Sequence, residues 1–167
     1  MVAYYFVNKL DYFANSLKKV CQVNEKYIFA TNLIKISKGM GKSNKKKIRM
    51  EFEIKASPAM LFNYISSPSG LSQWFCNDVD IYNNFYKFKW DGDESIAELL
   101  KKVVNKSIKF KWKDAADEEY FEFEILQDEL TDDVALVVTD HVDAIDEKNA
   151  IQLWENQVHD LKTLLGG

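Results

Sequence analysis

Two histidines, His141 and His159, are the first residues to weigh for chemistry. His141 follows Asp140, and a histidine with a carboxylate neighbour is a pairing that general base catalysis uses. No nucleophile or oxyanion device is recognisable beside it, so a structural histidine is the plainer reading. His159 has Glu155 one helical turn before it, which reads as a surface pair. A metal would need further His, Cys or carboxylate ligands converging on one point, and the sequence shows no such set. Cys21 and Cys76 lie too far apart for a zinc spacing and are too few for a disulfide framework. They read as two free thiols of a reducing, cytoplasmic compartment. Gly41-Lys42-Ser43 has the ending of a phosphate-binding loop, but the glycine that loop needs five residues earlier is Ile36. Catalytic residues, metal and cofactor are therefore all expected to be absent.

The stronger signal is aromatic: four tryptophans and 11 phenylalanines in 167 residues. Trp90 and Trp112 keep the phase of Phe88 and Phe110. Rings in such number can line a pocket, where Trp and Tyr add a polar handle, or can fill a core.

Those residues must be carried by regular elements, and the period of the apolar pattern identifies them. Ile48, Met50, Phe52 and Ile54 alternate with charged residues, the mark of a half-buried strand. Ser57-Pro58 suits an N-cap followed by the first helical position. Leu61, Phe62 and Ile65 continue the helix, Ser67-Pro68-Ser69-Gly70 breaks it, and Leu71 to Phe75 reads as a second short helix. Strands are expected around Val79 and Ile81, then over Tyr86, Phe88 and Trp90. Turns are expected at Asn83-Asn84 and Asp91-Gly92. Ile96 to Val104 fits a helix or a strand. Strand is chosen, with Ala97, Leu99 and Val103 in one phase, because Asn105-Lys106 turns directly into Ile108, Phe110 and Trp112. After an acidic loop, Phe121, Phe123 and Ile125 alternate with glutamates. Thr131-Asp132-Asp133 then leads into Val134 to Val142, apolar on both faces. The last element is a helix with Ile151, Trp154, Val158, Leu161 and Leu165 on one stripe, Asp143 as its cap and Gly166-Gly167 as its end. Consecutive strands joined by tight turns imply antiparallel pairing. The fold class is α+β: a curved antiparallel sheet of six or seven strands, two short helices after the first strand, and a long C-terminal helix packed on the sheet.

The formal net charge of −4 argues against a nucleic-acid binder. Residues 1–47 hold ten lysines against Asp11 and Glu25, a net of +8, and the remainder holds 12 basic and 24 acidic residues, a net of −12. The expected division is a basic leader, 1–47, poorly ordered or a short helix, and a domain over 48–167, with Met40 itself a candidate start. Arg49 is the only arginine, which argues against a bidentate phosphate or carboxylate clamp. No apolar run is long enough to span a membrane.

The segment from Ala56 through Pro58, Phe62, Ser67-Pro68 and Leu71 to Trp74-Phe75, together with Leu153-Trp154-Glu155 through Leu161-Lys162, resembles the START-like (SRPBCC) superfamily. The branch it is most similar to is that of the homologues of the activator of the heat-shock-protein ATPase. The resemblance covers roughly Lys47 to Gly167. It implies a helix-grip fold with a cavity between the sheet and the final helix. The residues expected to line it are Trp74, Phe88, Trp90, Phe110, Trp112, Phe121, Phe123, His141 and Trp154. Fold does not decide function in so diverse a superfamily, and three functions stay open. The favoured one is non-enzymatic binding of an apolar or amphipathic small ligand. The others are a cochaperone-like module that docks a protein partner through its acidic surface, and a cavity enzyme of the cyclase or hydrolase type.

Overall fold

The computed structural model describes residues 45–166. Seven strands form one curved antiparallel sheet in the order β1-β7-β6-β5-β4-β3-β2. They are β1 (Lys45–Ile54), β2 (Asp78–Tyr82), β3 (Phe85–Trp90), β4 (Asp93–Val103), β5 (Ser107–Trp112), β6 (Phe121–Gln127) and β7 (Val134–Asp143). Helices α1 (Pro58–Ser66) and α2 (Pro68–Leu71) carry the chain from β1 at one edge to β2 at the other. The meander then returns until β7 pairs with β1, Lys45 opposite Asp143 and Ile54 opposite Val134. Helix α3 (Glu147–Leu164) follows a 3-10 turn over Ala144–Asp146 and packs on β1 and β7.

Local chemistry accounts for the joints. The hairpin turns place Asn83, Asn105, Asp132 and Gly92 at φ values of 53°, 58°, 61° and 93°. Asn, Asp and Gly tolerate that left-handed region best. Ser57 caps α1 by accepting from the Met60 amide at 3.3 Å. Ser67 serves twice. Its amide closes α1 on the Asn63 carbonyl, and its hydroxyl accepts from the Gly70 amide to start α2. Pro68 therefore opens the second helix, where a missing N–H costs nothing, and 72–77 is a turn instead of the helix expected over Leu71 to Phe75. At the last helix the expected cap also differs: Asp143 precedes the 3-10 turn, and neither it nor Asp146 makes a side-chain capping bond.

Two strand details differ from the periodic reading. β1 begins at Lys45, ahead of the alternating stretch, because Lys45, Lys46 and Lys47 pair with the end of β7. In β4 the register against β5 shifts between Leu99 and Lys101. Val103 therefore does not keep the phase of Ala97 and Leu99; Lys102 now lies opposite the buried Ile108 and sets its ammonium over the Phe62 ring. A bulge of one residue moves later side chains to the other face. The core lies between the sheet, α1 and α3, and α3 contributes Ala150, Trp154, Val158 and Leu161 at three- and four-residue spacing. No helix among the described residues is long and apolar enough to cross a membrane. The candidate helix of the leader, and Cys21, lie outside the described residues.

Candidate functional site

Alternation along β3, β5 and β6 sends Tyr86, Phe88 and Trp90, Phe110 and Trp112, and Phe121 and Phe123 to the face that α3 covers. Phe88, Phe110, Phe123 and Trp154 are fully buried. The rings meet at ordinary aromatic contact distances. Phe121 stacks on Trp112 at 4.7 Å and on Phe110 at 5.1 Å, and Phe88 sits edge-on to Phe110 and Trp112 at 5.9 and 5.6 Å.

The 72–77 turn adds Trp74 and Phe75 from the side opposite the sheet's own strands. Phe75 lies nearly parallel to Trp154, at 5.8 Å and 11°, and is stacked toward Phe121 at 6.0 Å and 29°. Its ring also meets Trp74, Phe88, Trp90 and Phe123 at 5.2 to 6.0 Å. Two indoles pin this turn: Trp74 Nε1 donates to the Tyr64 carbonyl at 3.0 Å, and Trp90 Nε1 donates to the Phe75 carbonyl at 2.8 Å.

The polar points of this interior are few. Asp140 on β7 is 3% exposed. Its carboxyl accepts from Trp154 Nε1 at 3.0 Å and from the His141 amide at 2.7 Å. Burial pushes the Asp140 acid above the usual carboxylate range, and these two donors offset that only in part. Glu119, also buried, meets the Lys45 ammonium at 2.6 Å. Trp112 Nε1 is buried and has no hydrogen-bond partner among the described residues. Cys76 is buried at the end of the turn, and burial pushes its thiol up to about 12.

The structure thus brings together eight of the nine expected residues: Trp74, Phe88, Trp90, Phe110, Trp112, Phe121, Phe123 and Trp154. His141 stands on the opposite face of β7 from Asp140, its ring against Tyr120 at 4.8 Å and its Nδ1 2.9 Å from the Tyr120 carbonyl. Phe75 and Asp140 are central residues that sequence reasoning did not place in the interior; Asp140 was weighed only as the carboxylate neighbour of His141. A signal existed for Asp140, an acid inside a run apolar on both faces.

Outside the ring cluster, a groove of about 570 Å³ runs between the 72–77 turn and α3. Trp74, Phe75 and Trp90 form its aromatic wall, and Asn77, Asn156 and Gln157 are among its polar groups. Two lysines of β5 pair with acids of the 114–124 stretch. Lys109 meets Glu122 at 3.0 Å, and Lys111 pairs with Asp117. Among the described residues no cluster of three or more His, Cys, Asp or Glu is placed to hold a metal.

A family model for the START-like superfamily domain matches residues 42–167. Among solved structures, the Aha1 dimer from Colwellia psychrerythraea is similar at 20% identity and a TM-score of 0.62, over 72% of this chain and 96% of that one. A Bacteroides fragilis protein solved by NMR matches at 28% identity and 0.53, over 72% and 91%. DynU16, a putative protein of the dynemicin biosynthetic locus, matches at 17% and 0.59, over 72% of this chain and 47% of its own. No curated protein matches the chain.

Proposed function

Since the chain belongs to the START-like superfamily, we propose that it binds an apolar or amphipathic small ligand carrying a hydrogen-bond acceptor, in the aromatic interior between sheet and α3. The supporting observation is the Trp112 indole N–H. Three of the four tryptophans donate to an acceptor, whereas the Trp112 donor is buried amid Phe88, Trp90 and Phe121 with none among the described residues. A buried unpaired donor costs about 1–3 kcal/mol, and an acceptor on a bound molecule would remove that cost. The surrounding rings supply the apolar contact, as ligand sites generally do.

The rival docking surface is less well supported. Within the acidic stretch, Asp117, Glu119 and Glu122 are each already paired with a lysine. Chemistry is less well supported too, because Asp140 is shielded from solvent and each of its oxygens already accepts a bond, from the His141 amide and from Trp154.

The test is native mass spectrometry of protein purified from its own host, followed by displacement of an apolar fluorescent dye with a ligand panel. One ligand class should displace the dye. Trp112→Phe should weaken acceptor-bearing members about 3- to 10-fold, the equivalent of one net hydrogen bond. A protein that retains nothing and binds no dye would refute the reading.

A further inference from the structure

Phe75 is held unlike any other ring of the interior. It belongs to no helix or strand, yet it is nearly parallel to Trp154, stacked toward Phe121, and edge-on to Phe88 and Phe123. Those contacts describe a slot between α3 and the sheet whose walls accept a flat ring. The chain fills that slot with its own side chain. The same residue borders the outside: Trp74, Phe75, Cys76 and Trp90 all line the groove beside α3. One turn therefore separates the slot from solvent.

The turn is fastened partly by its own backbone and partly from β3 and α3. The Phe75 and Cys76 amides donate to the Leu71 carbonyl, and the Phe75 carbonyl accepts from Trp90 Nε1 at 2.8 Å and from Gln157 Nε2 at 3.5 Å. For Phe75 to leave, its carbonyl must give up the bonds from the Trp90 side chain on β3 and the Gln157 side chain on α3. Once it leaves, the slot and the groove become one space. Its inner end is aromatic, and its outer rim carries the carboxamides of Asn77, Asn156 and Gln157. Stacking walls select planar rings, and a carboxamide rim offers both donors and acceptors to polar substituents.

We infer that the ligand of this interior is a planar ring compound with polar substituents at one end, which takes the place of the Phe75 ring between Trp154 and Phe121 and comes in through the groove beside α3. This inference rests on the ligand-binding reading above. A straight acyl chain would leave the parallel walls poorly covered and is the wrong class.

Cys76 reports directly on the exchange, because it is buried next to Phe75 and must be uncovered when the turn swings out. The experiment uses the full chain with Cys21→Ser, so that Cys76 is the one thiol. The probe is N-phenyl-1-naphthylamine, a neutral dye that carries a planar naphthalene ring, with 2-naphthol and palmitate as competitors. Without dye, alkylation of Cys76 should be slow. Saturating dye should accelerate it at least tenfold, and 2-naphthol should displace the dye where palmitate does not. Phe75→Ala should raise the dye association rate at least tenfold, and Phe75→Leu serves the same purpose if the alanine variant does not fold. Dye bound with unchanged or slower Cys76 alkylation would overturn the Phe75 exchange while leaving ligand binding intact. Equal displacement by palmitate would overturn the planar class. Absence of dye binding in both wild type and the Phe75 variant would overturn this inference and the ligand-binding reading together.

Discussion

Trp154 offers the sharpest test of how α3 is held. It is fully buried, stacks on Phe75, meets Phe123 edge-on at 5.7 Å and donates to Asp140. Trp154→Ala removes the whole indole, and large-to-small changes of that kind cost about 3–5 kcal/mol. Trp154→Phe keeps a ring against Phe75 and Phe123 but removes the N–H, leaving Asp140 with only the His141 amide. The cost expected for a buried acceptor so deprived is about 1–3 kcal/mol. Losing that donor should also raise the Asp140 acid further, since the Trp154 bond is one of the interactions that lower it. Urea titrations of wild type and both variants, analysed with a common m, measure the two costs. A loss under about 1 kcal/mol for Trp154→Ala, at unchanged m, would mean that the helix is not anchored through this residue and would refute the packing argument.

Three further outcomes follow from particular contacts. Burial raises the Asp140 acid in the folded state, so its contribution to stability is fully present below the ordinary carboxylate value of about 3.9 and is lost as pH rises through its raised value. Asp140→Asn keeps one oxygen for Trp154 but turns an NH2 toward the His141 amide, so it should melt below wild type near pH 3 and gain on it steadily toward pH 7; a difference between the two proteins that does not change with pH would contradict this. Asp78, Asp117 and Asp128, whose acids are lowered, act in the opposite sense but equally in both proteins. Gly70→Ala would put a Cβ 2.6 Å from the Tyr64 Cα and against the Asn63 carbonyl, both backbone atoms, and should cost about 1–3 kcal/mol in a denaturant titration. A chain starting at Met40 should melt with the full chain, whereas one starting at Ile48, which removes Lys45 and its pairing with Asp143 and Glu119, should melt lower; a fall of more than a few degrees for the Met40 chain would show that the leader packs on the domain.

Most of the fold was legible because period-2 alternation and turn chemistry point the same way at every hairpin. Asn83, Gly92, Asn105 and Asp132 stand where the chain needs a positive φ. What stayed hidden is what periodicity does not encode. The β4 bulge reverses phase without a sequence marker, so Val103 was placed on the wrong side of its strand. Pro68 reads equally as a helix stop and a helix start, and only the Ser67 hydroxyl on the Gly70 amide decides between them. In β7, Val137 and Val138 are both fully buried, so the sequence could not say whether Asp140 or His141 shared the face of Trp154. Phe75 follows no period at all, and its position depends on a turn that two distant indoles hold.

The four indole N–H groups together show how the interior is organised. A buried tryptophan normally finds an acceptor, and here the acceptors chosen differ in kind. Trp154 takes a side chain on β7 and so fixes the seating of α3 against the sheet. Trp74 and Trp90 take backbone carbonyls, Tyr64 and Phe75, at the end of α1 and within the 72–77 turn. Those two bonds hold in place the one segment that separates the aromatic interior from the groove. Trp112, on the sheet wall stacked against Phe121, takes none. Phe121 is also the ring toward which Phe75 is stacked. A molecule replacing Phe75 would therefore lie one ring away from the indole donor that has no partner among the described residues. On the proposed reading the plugged slot and the Trp112 donor would belong to one site, with the Phe121 ring between them.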